Sequence, residues 1–247
     1  MTQYPRYAIY YAPGIDTALH RFGSDVLGYD AHSGASVPFP ADLAAIPDWT
    51  QQTEAPRKYG FHATLKAPFS LHAAFTEADL LTACMAFADQ QRAIPIITPV
   101  VDVISGFTAI IPGEPSDKLK ALAQDCVEAF DRFRAPMSDD DRARRNPAAM
   151  TERQIRQLDR WGYPYVQDDF RFHMTLTGRI ARERQTEIIT VLRNRFAALH
   201  LGHLPIDRIA LFRQQEATAR FVIMDQFGLT GTYGIAAGIV KDGTALV

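Results

Sequence analysis

The chain has 247 residues, of which 47% are hydrophobic and 22% are charged, and its formal net charge is −2. This is the composition of a folded globular protein, so a disordered chain is excluded. The near-neutral charge argues against a protein that coats DNA or RNA regardless of sequence, because such proteins depend on a basic surface.

Hydrophobic spacing predicts strands and helices that alternate along the chain. The first predicted elements are, in order, a strand at 7–12, a helix at 16–27, a long connection at 33–57, a strand at 61–69, a helix at 76–92 and strands at 94–104 and 107–111. They continue with a helix at 116–134, a connection at 137–169 that contains a short helix near 151–161, a strand at 170–180, a helix at 183–199 and strands at 204–212 and 219–224. The sequence leaves open whether the connections 33–57 and 137–169 act as lids.

The order strand, helix, long connection, strand, helix, strand occurs twice. Two such units can pack about a pseudo-two-fold axis, so we expect one α+β domain over 1–247, duplicated around a shared cleft. The elements of an N-terminal lobe would come from about 1–104 and those of a C-terminal lobe from about 105–227. A glycine-rich tail at 228–247 carries little signal.

A five-residue pattern, Phe-His-x-Thr-Leu, occurs at 61–65 and again at 172–176. Each copy lies in a predicted strand, where residues i and i+2 face the same way. The histidine and threonine of each copy therefore share one face, opposite the apolar residues. We expect Lys66 to continue the histidine face of the first copy and Arg171 to precede the histidine on that face of the second. The pseudo-two-fold axis would bring the two strands together.

Two histidines on opposite sides of a bound group suit paired proton transfer, because a reference pKa of about 6.5 allows both charge forms near neutral pH. His62 and His173 are therefore the candidate catalytic residues, and the sequence does not say which is the acid. Thr64 and Thr175 can donate hydrogen bonds to the non-bridging oxygens of a phosphoryl group. The alternatives are structural histidines and threonines placed by strand preference alone.

Six further residues are candidates for substrate binding because of their charge, their aromatic rings or their position near the two motifs. They are Lys58, Tyr59, Lys66, Tyr165, Arg171 and Arg213. The cations would add charge-assisted hydrogen bonds to a phosphate. The tyrosine rings could stack on a base or sugar, and Arg213 ends a predicted strand that could border the cleft. The alternative for each is an ordinary solvated or packing side chain.

The sequence predicts no metal and no cofactor. Catalytic zinc sites usually take three protein ligands, and the chain has no helical His-x-x-x-His or Glu-x-x-His pair. It also has no P-loop and no glycine-rich dinucleotide fingerprint. Cys84 and Cys126 fall on apolar helix stripes and are expected to be buried free thiols of a reducing compartment. Without a signal-peptide layout or an apolar run near the ~20 residues that span a bilayer, we expect a cytoplasmic protein with no membrane partner.

The two His-x-Thr-Leu strands, about a hundred residues apart in a duplicated chain, resemble the two-histidine (2H) phosphoesterase superfamily. That superfamily includes RNA 2′,3′-cyclic phosphodiesterases and 2′-5′ RNA ligase-like proteins. The longer strings at 6–13, 57–69 and 170–178 are similar to a branch described as phosphonate-metabolism proteins, found with carbon–phosphorus lyase systems. The resemblance implies a bilobal, metal-independent fold with two pseudo-symmetric, mainly antiparallel sheets flanked by helices.

The resemblance also implies that His62 and His173 are the general acid and base and that Thr64 and Thr175 bind phosphate. The expected activity is hydrolysis of a small cyclic phosphodiester. Carbon–phosphorus lyase pathways pass through a ribose 1,2-cyclic phosphate, which makes a ribose cyclic phosphate the natural substrate class. One alternative is processing of RNA 2′,3′-cyclic or 2′-5′ linkages, against which the near-neutral charge counts. Another is a non-catalytic module that binds a nucleotide or phosphorylated metabolite. No DNA partner is expected.

Overall fold

A computed structural model describes residues 3–233 of the chain. The strands are β1 (Arg6–Tyr11), β2 (Tyr29–Asp30), β3 (Ala35–Ser36), β4 (Ala63–Ser70), β5 (Arg92–Ile94), β6 (Ile96–Ile97), β7 (Pro99–Ile104), β8 (Phe107–Pro112), β9 (Met174–Arg179), β10 (Leu204–Pro205), β11 (Arg208–Gln214), β12 (Val222–Gly228) and β13 (Gly231–Tyr233). The α-helices are α1 (Ala18–Leu27), α2 (Ala41–Ala44), α3 (Trp49–Gln52), α4 (Glu54–Arg57), α5 (Glu77–Ala88), α6 (Asp117–Asp131), α7 (Asp139–Arg144), α8 (Glu152–Trp161) and α9 (Arg182–Ala197). Short 3₁₀ turns lie at Pro147–Ala149 and Gln167–Asp169.

The main sheet has seven strands in the order β12-β11-β1-β4-β9-β8-β7, and all neighbours in it are antiparallel. The predicted α+β class with antiparallel pairing is confirmed. The prediction of two separate sheets needs a correction, because one hydrogen-bonded sheet runs through the molecule. Its two halves meet at β4 and β9, which pair only through Ala63 and Met174.

The strand order does not follow the predicted division of the chain near residue 104. Strands β11 and β12 lie beside β1, so the C-terminal part of the chain completes the half that contains β1 and β4. Strand β7 lies beside β8 in the other half. The reason is the two-residue turn Ser105-Gly106, where both residues have positive φ, which joins β7 and β8 as a tight hairpin. Strands joined in this way belong to the same half.

The helices cover one face of the sheet. Helices α5 and α6 contact β11, β12 and β4, while α1, α4 and α9 contact β9 and β7. Helix α5 begins with a capping box between Thr76 and Asp79, and α6 begins at the N-cap Ser116, as the sequence predicts. Cys84 of α5 and Cys126 of α6 are buried and are not bonded to each other, which confirms the predicted free thiols.

Several predicted boundaries differ from the structure. The connection 33–57 contains α2, α3 and α4, each a single turn too short to produce a periodic apolar pattern. The predicted helix near 151–161 is confirmed as α8, and α7 precedes it. Part of the predicted tail is ordered, since β13 pairs in parallel with β5; the rest, 234–247, lies outside the described residues. Each helix of the described chain is too short or too polar to cross a bilayer.

Candidate functional site

The two copies of the motif meet in the middle of the sheet. Ala63 and Met174, the central residues of the two copies, are directly opposite each other in the antiparallel pair β4–β9. Both are completely buried on the helix-covered face. Continuing this register by one residue in each direction places His62 beside Thr175, and Thr64 beside His173, on the opposite face. The two motifs therefore meet with pseudo-two-fold symmetry about the Ala63–Met174 pair.

A β-bulge directly after the first motif reverses the direction of the next side chain. Thr64 pairs with Tyr10, whereas Lys66 pairs with Ile9, so β4 has one more residue than β1 at this point. Lys66 consequently points toward α6 and is only 3% exposed. Its ammonium group donates to Asp131 Oδ1 at 3.1 Å and to the Val127 carbonyl at 3.0 Å. The prediction that Lys66 shares the histidine face is wrong.

The second motif is also followed by an irregularity in the strand pairing. Thr175 pairs with Ala109 and Arg179 pairs with Phe107, so β9 has two residues more than β8 over this interval. The bulge leaves the backbone N–H of Thr108 without a carbonyl partner across the strands, and it donates instead to the hydroxyl of the buried Thr177 at 3.0 Å. The Thr177 hydroxyl thus accepts a hydrogen bond from the backbone at the bulge.

Both imidazoles are held in the same way by the chain just before them. The Nδ1 of His62 is 2.9 Å from the Gly60 carbonyl oxygen, and the Nδ1 of His173 is 2.8 Å from the Arg171 carbonyl oxygen. A carbonyl oxygen can only accept, so Nδ1 carries the hydrogen in each ring. In the neutral form this leaves the Nε2 lone pair of each histidine available for a proton. The Thr64 hydroxyl lies 3.4 Å from Nε2 of His62.

The electrostatic environment favours neutral histidines. Burial lowers the pKa of His62 to about 4, partly opposed by the hydrogen bond to Gly60, and a charge on His173 lowers it further. Burial also lowers the pKa of His173. The pairing of Ala63 with Met174 places both rings on the same face of the sheet, where a charge on one disfavours a charge on the other.

Aromatic rings pack around His62. The ring of Tyr10 stacks on the imidazole, with a centroid distance of 3.9 Å and an interplanar angle of 24°. Tyr59, one of the predicted residues, lies 6.2 Å from the imidazole and stacks on Phe221 at 5.3 Å. Tyr10 is completely buried and was not predicted. A tyrosine in a strand is usually a core residue, so its type did not indicate a place beside the motif. The one indication in the sequence was that Tyr10 faces away from Ile9.

The surroundings of His173 are less enclosed by aromatic rings. Phe107 of the β7–β8 hairpin lies 5.6 Å from the imidazole between ring centroids. Thr175 is half-buried, and its hydroxyl has no hydrogen-bond partner within residues 3–233. A hydroxyl beside each imidazole, that of Thr64 near Nε2 of His62 and that of Thr175, could donate to the oxygens of a bound anion.

The remaining predicted residues lie at different distances from this centre. The Lys58 ammonium donates to the Ala217 carbonyl in the β11–β12 connection at 2.9 Å. Arg171 is exposed and lines a cavity of about 470 Å³ that β7, β8 and the start of α6 also line. Tyr165 is 49% exposed and contacts Tyr163 edge-to-face at 5.4 Å.

Arg213 does not border the histidine face. It pairs with Tyr7 in the β1–β11 ladder, and Tyr7 belongs to the helix-covered core. The guanidinium of Arg213 forms an ion pair with Glu77 at the start of α5, at 3.1 Å, and the Tyr7 hydroxyl donates to the same carboxylate at 2.8 Å. The expectation that Arg213 could line the cleft is therefore wrong, since strand alternation turns it toward the helices.

Besides Tyr10, four residues around the centre were not among the predictions: Arg6, Arg145, Tyr163 and Phe221. The Arg145 guanidinium lies 5.7 Å from the ring centroid of Tyr163, and both are half-buried. The Arg6 guanidinium lies 5.5 Å from the ring centroid of Phe221. Burial raises the pKa of Tyr10; Tyr59 and Tyr163 add to this effect, whereas the charges of Arg6 and Arg145 oppose it. These groups are therefore neighbours of the ring that stacks on His62.

Other features lie outside the centre. A second cavity, of about 240 Å³, lies between α1 and the end of α9, and neither cavity is lined by His62 or His173. Among residues 3–233, no three His, Cys, Asp or Glu side chains converge in a way that could hold a metal ion.

Comparison with known families gives a match over the central part of the chain. Residues 64–222 match the model of a family described as a protein of unknown function, DUF1045. The chain belongs to the DUF1045 family. Two curated relatives carry the name ribose 1,5-bisphosphate phosphokinase PhnN. The protein from Janthinobacterium sp. (strain Marseille) is 35% identical over 92% of this chain, and that from Laribacter hongkongensis (strain HLHK9) is 31% identical over 87%.

The DUF1045 chain spans about half the length of these relatives, 51% of one and 50% of the other. Among solved structures, E. coli LigT in complex with 3′-AMP aligns with 92% of this chain and 99% of its own, with a TM-score of 0.41 and 11% identity. E. coli LigT in complex with NADP+ gives a TM-score of 0.40 and 12% identity.

Proposed function

We propose that this DUF1045 protein is a metal-independent phosphoesterase of the two-histidine type, which hydrolyses a small cyclic phosphodiester. The observation that carries the proposal is the meeting of two identical His-x-Thr strands around Ala63 and Met174. This pairing supports a single site with two imidazoles and two hydroxyls. Each imidazole is fixed through Nδ1 and offers Nε2 to a ligand.

The proposed reaction uses the two histidines in different protonation states. Thr64 and Thr175 donate hydrogen bonds to the non-bridging oxygens of the phosphate. His62, with its strongly lowered pKa, is neutral and accepts a proton from the attacking water at Nε2. The new bond joins that oxygen to phosphorus as a ring P–O bond breaks. His173 donates its proton to the leaving ring oxygen, and a proton exchange with solvent restores the pair.

The names of the relatives support a substrate class. A kinase that acts on ribose 1,5-bisphosphate requires a reaction that produces this compound. Hydrolysis of ribose 1,2-cyclic phosphate 5-phosphate produces ribose 1,5-bisphosphate if O2 is the leaving group. The DUF1045 chain has no P-loop sequence for a nucleotide phosphate. We therefore propose that this chain performs the ring opening and that the other half of the longer relatives contains the kinase.

The test is turnover of cyclic phosphates by the purified chain, followed by phosphorus NMR. We expect wild type to open ribose 1,2-cyclic phosphate 5-phosphate to ribose 1,5-bisphosphate, with undiminished rate in the presence of a chelator. His62→Ala and His173→Ala should each lower kcat by at least about 100-fold, as removal of a general acid or base does. His203→Ala, an exposed histidine away from the site, is the matched control.

Two other outcomes would replace this proposal. Turnover of 2′,3′-cyclic nucleotides in preference to the sugar phosphate would assign the chain to RNA end processing. Tight binding of the sugar phosphate without turnover by wild type would indicate a binding module. Full activity in both histidine variants would contradict the catalytic roles whatever the substrate.

A further inference from the structure

Two arginines lie on the His62 side of the site without an acidic partner. The guanidinium of Arg6 donates to Gln214 Oε1 at 3.0 Å and contacts the face of Phe221. The guanidinium of Arg145 contacts the ring of Tyr163. Within residues 3–233, no carboxylate lies at ion-pair distance from either side chain. Both arginines come close enough to Tyr10 for their charges to act on its hydroxyl.

The lack of an acidic partner distinguishes Arg145 from nearby arginines of the same connection. Arg142 forms an ion pair with Asp159 at 2.7 Å, and Arg153 forms one with Asp169 at 2.7 Å. The connection between α6 and β9 thus neutralises these cations on its outer side. Arg145 is half-buried and directed toward the aromatic rings. A partly desolvated cation without a carboxylate provides a favourable position for an anionic group.

Aromatic contacts position both cations. Tyr163 lies between Arg145 and the aromatic cluster: it contacts Tyr165, and the phenols of Tyr10 and Tyr59 are near enough to interact with it. Phe221 lies under Arg6, with Tyr59 stacked on its ring and the ring of Tyr10 6.3 Å away. Guanidinium groups over aromatic rings keep their N–H groups directed outward at the ring edge. Each arginine can then present donors in a fixed orientation to the same side of His62.

We propose that Arg6 and Arg145 form a second anion subsite beside His62 that binds a phosphate monoester at the far end of the substrate. This inference rests on the proposed function, because it names the part of the substrate that does not react. The reacting cyclic phosphate lies between the histidines and threonines, and the sugar bridges the two subsites against Tyr10 and Tyr59. The enzyme then discriminates in favour of cyclic sugar phosphates that carry a second phosphate group.

The test compares two substrates, ribose 1,2-cyclic phosphate with and without a 5-phosphate. The readout is the ratio of their kcat/KM values. A charge-assisted hydrogen bond contributes about 1.5–3 kcal/mol, so Arg145→Gln should reduce the preference for the 5-phosphate about 10- to 100-fold. Arg6→Gln should reduce it in the same direction. Arg142→Gln, which removes an ion pair on the outer side of the same connection, should leave the ratio unchanged.

A binding measurement separates this inference from the catalytic proposal. Calorimetry with ribose 5-phosphate is performed on wild type, His62→Ala, Arg145→Gln and Arg142→Gln. Binding that persists in His62→Ala and is lost in Arg145→Gln supports the subsite, even if wild type opens no cyclic phosphate and the proposed function fails. Equal binding by the two arginine variants, or equal effects of Arg145→Gln on both cyclic substrates, would overturn the subsite.

Discussion

The ring of Tyr10 stacks on the imidazole of His62, with centroids 3.9 Å apart and planes inclined by 24°. This contact joins the motif strand β4 to its neighbour β1, because Tyr10 and Thr64 are opposite each other in the ladder. The stack excludes water from one side of the imidazole and contributes to the burial that lowers the pKa of His62.

Replacement of Tyr10 should therefore change the titration of His62. In Tyr10→Leu the smaller side chain admits water beside the imidazole, so the pKa of His62 should rise from about 4 toward its ordinary value of 6.5. The measurement is the pH titration of the His62 ring signals by NMR. Tyr10→Phe keeps the ring and is the control. A titration of His62 in Tyr10→Leu that matches wild type would show that the stack does not determine the pKa.

The stability of the protein should decrease as the pH falls from 6.5 to about 4. His62 has a lower pKa in the folded state than in the unfolded chain, so the unfolded state binds more protons in this interval. The stabilisation from neutral His62 is complete above pH 6.5 and is lost as the pH falls toward 4. Urea unfolding at several pH values measures it. His62→Asn should show a weaker pH dependence than wild type, and an identical dependence would contradict this assignment.

Gly60→Ala should displace His62. Gly60 has φ +73°, and a Cβ at this position would lie 2.6 Å from the Cβ of Ala31. The carbonyl of Gly60 accepts the hydrogen bond from Nδ1 of His62, so a distortion of the backbone at Gly60 should shift the imidazole. We expect a loss of stability of about 1–3 kcal/mol and a large loss of activity.

Gly106→Ala provides the matched control for Gly60→Ala. Gly106 also has positive φ, at +89°, but a Cβ there would meet no atom within 4 Å. Gly106→Ala should lower the free energy of unfolding through backbone strain alone and leave turnover close to wild type. Equal activity of the two variants would show that the Gly60 carbonyl does not position His62.

Lys66→Met should affect stability rather than substrate binding. The Lys66 side chain is buried, and its removal deprives Asp131 of one partner, although Arg134 still bonds the carboxylate at 2.8 Å. We expect a loss of about 2–3 kcal/mol in the free energy of unfolding. KM should remain within about twofold of wild type, since a group on the opposite face contributes nothing to binding.

Lys120→Met, which removes only an exposed partner of Asp117, is the control for Lys66→Met and should change stability by less than about 0.5 kcal/mol. A rise of tenfold or more in KM for Lys66→Met, with an unchanged midpoint of unfolding, would restore Lys66 as a substrate-binding residue.

The sequence was sufficient to predict that the two motif strands meet, because the same motif occurs twice in units of similar order. The alternation of side chains along a strand put His62 and Thr64 on the same face, and for this pair it has to hold over only two residues. It fails at Lys66 because the bulge depends on how β4 pairs with β1. The sequence of β4 alone does not determine that pairing. Arg213 was misplaced for a related reason: its face follows from its pairing with Tyr7.

The residues around the centre could not be predicted from local patterns. Arg145 lies 83 positions after His62 in a connection with a strongly charged composition, and such stretches usually face solvent. Its partial burial depends on the contact with Tyr163 across the connection. Similarly, β11 and β12 belong to the half that contains β1 because β11 pairs with β1, a strand far away in the sequence. The hairpin at Ser105-Gly106 was the one local signal against a boundary at residue 104.

The single residue pair that joins β4 to β9 has a mechanical consequence. Continuous ladders hold each half of the sheet together, whereas one ladder pair, Ala63 with Met174, joins the halves within the sheet. Each half carries one histidine, so any rotation of one half against the other is taken up at this seam and changes the gap between the two imidazoles directly. The distance between the two imidazoles thus depends on the shortest ladder of the seven-stranded sheet.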